Sequence, residues 1–141
     1  MHILQIQPRQ NIISIDNWQE YRRHGEQFLS TAIQAFEKGN SRFTPEILFN
    51  LVAMAIEKLV MAFLMKRGDL AENHTMGDLF RALEKHVGHQ PELAGQFAFL
   101  DSFQEICDLE TYRRQAPTLE ETAVIVGIGE EVRRLLLPHL A

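Results

Sequence analysis

Residues 44–67 read TPEILFNLVAMAIEKLVMAFLMKR, and this stretch decides how the rest of the chain is interpreted. Strong helix formers dominate it, namely Ala, Leu, Met, Glu and Lys. Thr44 is a favourable N-cap, and Pro45 is tolerated in a first turn because its missing N–H would have no partner there. Gly68 follows two cationic residues, as expected where a helix ends. The sequence therefore predicts one long helix with both ends marked.

Apolar side chains surround nearly the whole of this predicted helix. Apolar residues recur at three- and four-residue spacing and form one main stripe along the helix. Six more apolar residues lie outside that stripe: Phe49, Met54, Ile56, Val60, Met61 and Leu64. A helix that is apolar nearly all round is buried on several sides. We therefore expect the central helix of a bundle, with part of its surface left for a second chain.

The composition is typical of a soluble globular protein. A chain of 141 residues, 45% hydrophobic and 23% charged, is long enough for one domain with a sizeable core. The net charge of −5 provides no overall positive field that would attract DNA or an anionic membrane. Asn50, Glu57 and Lys58 would be costly inside hydrocarbon, so we predict no membrane span. A single cysteine, Cys107, and an N-terminus without signal-peptide features predict a cytoplasmic protein.

Four further helices are predicted around the central one. The first begins at Asp16 or Asn17, and its Gly25 is expected at a close helix crossing. The last begins at Thr118, which forms a capping box with Glu121. Between the central and last helices the pattern predicts two more: a short helix over about residues 75–87, and a helix from Pro91 to near Tyr112.

Short connections join these helices, and no convincing strand alternates with them. The predicted fold is all-α, an up-and-down four-helix bundle with an extra short helix. Residues 16–141 are predicted to form this single domain, and residues 1–15 an N-terminal extended arm.

Three segments carry a family resemblance. Residues 53–59 read AMAIEKL, His74 opens a leucine-spaced helix, and Tyr112, Arg113 and Arg114 lie shortly before a proline. In this order and spacing they resemble the HEPN family of small all-α domains. The resemblance implies a four-helix bundle that commonly dimerises. Many members are paired with minimal nucleotidyltransferases, several as toxin–antitoxin systems, and nucleotide binding has been proposed for the family.

A large subset of the family are metal-independent ribonucleases with an R-x(4–6)-H motif near the start of the last main helix. Here the positions at that spacing from the two consecutive arginines are residues 118–121, which are Thr, Leu, Glu and Glu. Two pairs elsewhere match the spacing, Arg67 with His74 and Arg81 with His86, but neither lies in the family's position. We therefore predict no catalytic residue.

Tyr112, Arg113 and Arg114 are candidate phosphate-binding residues. Arginine binds phosphate bidentately, and the family's proposed link to nucleotides favours such a site. The alternative is a helix C-terminus that carries cations because they complement its dipole.

Glu57, Lys58 and His74 are the other candidate ligand-binding residues. They form either a polar site in a groove or dimer seam, or a set of structural contacts. In the second case Glu57 pairs with Arg113 or Arg114, Lys58 extends its ammonium to solvent, and His74 makes a hydrogen bond at a helix start.

The sequence predicts neither a metal site nor a cofactor. His86 and His89 lie three residues apart, but a glycine and a proline interrupt the helix around them, and no third ligand follows at a fixed spacing. Gly127 and Gly129 lack the third glycine and the βαβ unit of a dinucleotide fingerprint. They are expected to permit close helix packing or to loosen the last helix.

The leading interpretation is a non-catalytic, dimeric HEPN-like interaction module that binds a nucleotide or a nucleotidyltransferase partner. One alternative is a diverged HEPN ribonuclease of the toxin–antitoxin type. The other is an orphan helical bundle with an unrelated ligand. A cytoplasmic homodimer is expected, with no DNA or membrane partner.

Overall fold

The structure is a computed structural model that describes residues 17–71, 73–103 and 116–141. Within these ranges every regular element is helical, so the predicted all-α, four-helix architecture with an additional short helix is confirmed. The elements in chain order are α1 (Trp18–Lys38), α2 (Pro45–Lys66), α3 (Met76–Val87), α4 (Pro91–Asp101), α5 (Leu119–Leu136) and a 3₁₀ turn (Leu137–His139).

Both ends of α2 are formed by local contacts. The Thr44 hydroxyl accepts the Ile47 N–H at 3.2 Å, and a proline opens the first turn. At the other end Gly68 has φ +77°, and the Asp69 N–H donates to the Leu64 carbonyl at 2.8 Å. This is the hydrogen-bond pattern of a Schellman ending, which favours glycine because its φ is positive. The predicted start and end of the central helix are confirmed.

Burial inside one chain explains the apolar composition of α2. Thirteen of its 22 residues are buried, including five of the six apolar residues that lie off the main stripe. Ile47 and Met54 remain 42% and 40% exposed. Among the described helices, α2 is long and apolar enough to cross a membrane, yet 67% of its most apolar window is buried in the fold. The protein's own helices therefore cover most of the apolar α2 surface that was predicted to contact a second chain.

Glycines allow α1 and α5 to approach α2 closely. A Cβ atom on Gly25 would lie 2.8 Å from Leu59 Cγ and 3.2 Å from a backbone oxygen of α2. A Cβ atom on Gly129 would lie 2.8 Å from Leu29 Cδ1 and 3.0 Å from Val52 Cγ1. These distances are shorter than normal carbon contacts, so the close crossing predicted at Gly25 is confirmed, and close packing is the alternative that holds for Gly129. No atom of the described residues lies within 4 Å of a Cβ position on Gly127, so close packing does not account for that glycine.

Contacts along α2 define the helix directions. Trp18 at the start of α1 lies against Lys66 at the end of α2, so these two helices are antiparallel. Lys66 also donates to the carbonyl of His139, just beyond α5, while Gly129 lies beside Val52 in the first half of α2. Helix α5 therefore runs parallel to α2 and antiparallel to α1.

Helices α3 and α4 form an antiparallel hairpin. The Asp101 carboxylate at the end of α4 accepts the N–H groups of Met76 (3.0 Å) and Gly77 (2.9 Å) at the start of α3. Phe80 and Phe97 pack between the helices with ring centroids 5.6 Å apart. The carboxylate thus satisfies two amides at the positive end of α3, although it comes from another helix.

Helix α4 ends earlier than predicted, at Asp101 and not near Tyr112. The Ser102 hydroxyl donates to the Phe99 carbonyl at 2.6 Å, and the Ser102 backbone N–H donates to the same carbonyl at 3.2 Å. Serine side chains compete with the helical hydrogen-bond pattern in this way. The early end leaves Asp101 free to bind α3. Residues 1–15 lie outside the described residues, and the predicted arm stays a prediction.

Candidate functional site

Glu57 and His74, two of the predicted site residues, contact each other directly. Oε2 of Glu57 on α2 lies 2.5 Å from Nδ1 of His74 in the α2–α3 connection. The side chains are 29% and 50% exposed, so this contact lies at the surface. It fastens the connection to α2. The alternative pairing of Glu57 with Arg113 or Arg114 lies outside the described residues.

Lys58 points away from this pair, toward α1. Its Nζ lies 4.6 Å from the centroid of the Tyr21 ring, and Lys66 Nζ lies 4.9 Å from the Trp18 ring in the same seam. Cation–aromatic contacts of this kind are worth about 0.5–1 kcal/mol at exposed sites. The three central candidates thus divide into a Glu57–His74 pair and a lysine that helps α1 pack.

Basic side chains surround Phe63 near the end of α2. The Arg67 guanidinium lies 4.5 Å from the ring centroid, and the rings of His86 and His139 meet Phe63 edge-on at 5.9 and 5.5 Å. Arg67 Nη2 also donates to His139 Nδ1 at 3.1 Å, because arginine has no acceptor. These contacts attach the 3₁₀ turn after α5 to the end of α2.

Asp69 anchors the start of the α2–α3 connection. Its Oδ2 accepts from His86 Nε2 at 2.9 Å, and its Oδ1 accepts the Leu70 N–H at 2.8 Å. The hydrogen bond from His86 is the main cause that holds the pKa of Asp69 below its usual value. Partial burial opposes that shift, while the Leu70 N–H and the Lys85 charge add to it. Asp69 is therefore ionised at neutral pH.

A polar cleft of about 360 Å³ lies between this connection and α3. The sequence pattern did not predict it, although Asp78, Arg81 and Lys85 recur at three- and four-residue spacing on one face of α3. The facing wall belongs to an irregular connection, whose position no periodicity reveals. The lining residues are Asp69, Leu70, Ala71 and Asn73 from the connection, and Asp78, Arg81, Ala82 and Lys85 from α3.

Asp78 stands at the start of α3, at the edge of the cleft. The Thr75 hydroxyl donates to its Oδ2 at 2.8 Å, and the Asp78 N–H donates back to that hydroxyl at 3.1 Å. Arg81 contacts Oδ1. The Thr75 hydroxyl, followed by Arg81, holds the pKa of Asp78 below its usual value. Both acidic groups of the cleft are thus already bound by donors of the protein.

The two arginine–histidine pairs with the ribonuclease spacing are not assembled into sites. Within the described residues each of the four side chains contacts a different partner, so neither arginine contacts the histidine at that spacing. The observed contacts are Arg67 with His139, His74 with Glu57, Arg81 with Asp78, and His86 with Asp69.

The start of α5 is closed by its own side chains. The Thr118 hydroxyl accepts the Glu121 N–H at 3.1 Å, and the Glu121 carboxylate accepts the Thr118 N–H at 2.9 Å. The predicted capping box is therefore confirmed. Glu120 adds a second carboxylate to this turn, where negative charge complements the helix dipole.

Tyr112, Arg113 and Arg114 lie outside the described residues. Their proposed binding of phosphate stays a prediction. Of the six predicted site residues, the structure thus brings together Glu57 and His74 and places Lys58 in a separate contact.

The helical bundle defines a small all-α domain with closely crossing helices and a polar α2–α3 connection. The family model of the HEPN domain matches residues 18–139. The chain therefore belongs to the HEPN family, and the resemblance read from the sequence is confirmed. No curated protein and no solved structure matches the chain.

Proposed function

We propose that this HEPN domain is a non-catalytic, dimeric interaction module. The observation that most directly supports the absence of ribonuclease chemistry is the first turn of α5. A capping box of Thr118 and Glu121 occupies it, and Glu120 adds a further negative charge. The family's ribonucleases carry a histidine in this region, whereas none occurs here from residue 90 to residue 138.

Cleavage of RNA by acid–base chemistry needs a positioned acid or base near the reacting hydroxyl, most often an imidazole, and donors or cations near the phosphate. The Glu121 carboxylate instead occupies the Thr118 N–H, the Thr118 hydroxyl occupies the Glu121 N–H, and the two carboxylates of this turn add negative charge that repels a phosphate. His74 and His86 are each bound to a carboxylate elsewhere in the fold. These contacts favour a binding role over cleavage.

An RNA-cleavage assay tests the non-catalytic part of the proposal. We expect the purified protein to leave single-stranded RNA intact under conditions in which a HEPN ribonuclease with a complete motif cuts it. Cleavage that disappears in His74→Gln or His86→Gln would overturn the proposal and support the diverged-ribonuclease alternative.

The exposed face of α2 supports the proposal that the protein forms a dimer. Ile47 and Met54 are seven residues apart, so they lie on the same side of the helix. Both are exposed on a helix that is otherwise mostly core. A two-fold dimer uses the same patch on both chains, so in the proposed dimer this face of α2 would contact its own copy.

Light scattering after size-exclusion chromatography tests the dimer. We expect the mass of two chains for the wild-type protein and of one chain for Met54→Glu. Val124→Glu is the matched control, because Val124 is 52% exposed but lies on α5. A wild-type protein that is strictly monomeric at micromolar concentration would contradict the proposal.

The proposed partner is a nucleotidyltransferase protein or a nucleotide, as the family's usual pairing implies. Affinity capture from a native lysate, with mass spectrometry and extraction of bound nucleotides, tests this choice. Stoichiometric recovery of either partner is the expected result. A clean protein with neither would support the orphan-bundle alternative.

A further inference from the structure

The polar cleft between the α2–α3 connection and α3 has the volume of a small-molecule site. Its volume of about 360 Å³ falls within the usual range for ligand pockets. Leu70, Ala71 and Ala82 provide apolar surface, while the rest of the lining is polar or charged. This mixture fits a compact ligand that has one polar end and one less polar body.

The two carboxylates of the cleft are already satisfied by protein donors. Asp69 accepts from His86 and from the Leu70 N–H, and Asp78 accepts from Thr75 and Arg81. Each carboxylate oxygen therefore has a donor of its own. These donors offset part of the negative charge that the two carboxylates bring to the cleft.

The cationic groups of the cleft retain donors for a ligand. Among the described residues Lys85 forms no ion pair. Arg81 is 70% exposed and uses one of its nitrogens on Asp78, and a guanidinium has five N–H groups. Because Arg81 and Lys85 are four residues apart on α3, their side chains are neighbours on one wall. Asn73 also lines the cleft, but its side chain already hydrogen-bonds the Asp78 carboxylate, so the free donors are those of Arg81 and Lys85.

We propose that this cleft binds a small phosphomonoester, whose phosphate lies between Arg81 and Lys85 and whose organic body covers Leu70 and Ala82. Arginine and lysine are the side chains that bind phosphate most strongly, one as a planar fork and one as a point charge. The site is independent of the RNA-cleavage question and of the dimer surface on α2. It adds a ligand site to the proposed interaction module.

Isothermal titration calorimetry with ribose 5-phosphate, inorganic phosphate and ribose tests the site. We expect saturable binding of both phosphates and none of ribose. Arg81→Gln and Lys85→Gln should each weaken binding of ribose 5-phosphate about tenfold, because a hydrogen bond to a charged group is lost. Arg134→Gln and Lys38→Gln are the matched controls, since both residues are exposed and neither lines the cleft.

Circular dichroism confirms that each variant is folded before titration. Binding that survives in Lys85→Gln and Arg81→Gln, or that falls equally in the controls, would show that no phosphate site exists in this cleft. Absence of phosphate binding by the wild-type protein, or equal binding of ribose, would also overturn the inference. None of these results would bear on the dimer or the RNA-cleavage assay, so the two proposals fail separately.

Discussion

Helices α1 and α5 cross α2 at glycines, in close steric contact, whereas the α3–α4 hairpin and its connection add directional polar contacts to their apolar packing. In the three-helix core, α1 and α5 cross α2 at Gly25 and Gly129, where a methyl group would collide with a neighbour. At the hairpin, Asp101 caps α3, His86 binds Asp69, and a histidine–carboxylate pair fastens the connection.

This difference predicts where the protein is sensitive to mutation and where it responds to pH. Close packing tolerates little change in volume, so the core should lose most when a side chain is added. Each polar contact at the surface contributes less to the free energy of unfolding. Where the acceptor is a carboxylate, that contribution is lost when the carboxylate is protonated. The polar cleft belongs to the second region, so substitutions there should change binding with little loss of fold.

The largest effect is expected from Gly25→Ala. Its Cβ would approach Leu59 Cγ to 2.8 Å, and overpacking of this kind costs about 1–3 kcal/mol, more than the helix-propensity gain of alanine offsets. Gly127→Ala is the control, because no atom of the described residues lies within 4 Å of its Cβ position, and it should gain up to about 1 kcal/mol. Urea unfolding measures both. Equal stabilisation by the two changes would show that α1 and α2 are not in close contact.

Asp101→Ala should have the next largest effect. It removes the acceptor of two α3 amides, and loss of a helix cap costs about 1–2 kcal/mol. Asp101→Asn keeps one acceptor oxygen and should lose less. Faster hydrogen exchange at the start of α3, with unchanged exchange in α1, is the specific readout. Glu37→Ala on the exposed end of α1 serves as the control, and an effect of the same size there would refute the capping role.

Asp69→Asn should be destabilising only above the acidic range. Because the pKa of Asp69 is lowered in the folded protein, its contribution is present above about pH 4 and disappears as the pH falls through the folded-state value. A loss of about 1 kcal/mol is expected at pH 7, and this loss should shrink as the pH falls through the folded-state pKa of Asp69. Unfolding curves across this range, with His86→Gln as the companion variant, measure it. A difference that persists at low pH would mean that the carboxylate is not the cause.

The smallest effect is expected for the Glu57–His74 contact. Because the pair is partly exposed, a double-mutant cycle with Glu57→Gln and His74→Gln should give a coupling of about 0.5 kcal/mol. The same cycle between Glu57 and Lys58 should give a coupling near zero, since Lys58 covers Tyr21 instead. A larger coupling between Glu57 and Lys58 than between Glu57 and His74 would show that Glu57 pairs with Lys58 instead of His74.

Helix positions and ends follow from local sequence. The N-caps Thr44, Thr75 and Thr118 and the glycine after α2 act within four residues of the backbone groups they satisfy. Such contacts form in the same way wherever the helix packs, so the pattern of residues is enough to predict them. Other ends follow less directly. Asn17 stands at the N-cap of α1 without a side-chain capping hydrogen bond, and α4 ends where Ser102 competes with the helix and Asp101 is bound to another element.

The candidate site shows the limit of this reasoning. The sequence singled out Glu57 and His74 separately, but their contact depends on the path of the connection back along α2. The cleft was not predicted for the same reason, since Asp69 and Asn73 meet Arg81 and Lys85 only after the hairpin has packed. Apolar periodicity identifies which face of a helix is buried and does not identify the neighbour of a polar side chain.

The sequence by itself determined the all-α class, the central helix, most helix ends and the family. These depend on contacts between residues close in sequence and on the burial of apolar surface, and neither needs knowledge of distant partners. Only the tertiary structure decided that Asp101 caps α3, that Glu57 meets His74, and that Arg67 meets His139. Those contacts join residues far apart in the chain, and their short, directional hydrogen bonds require the helices to be in place first.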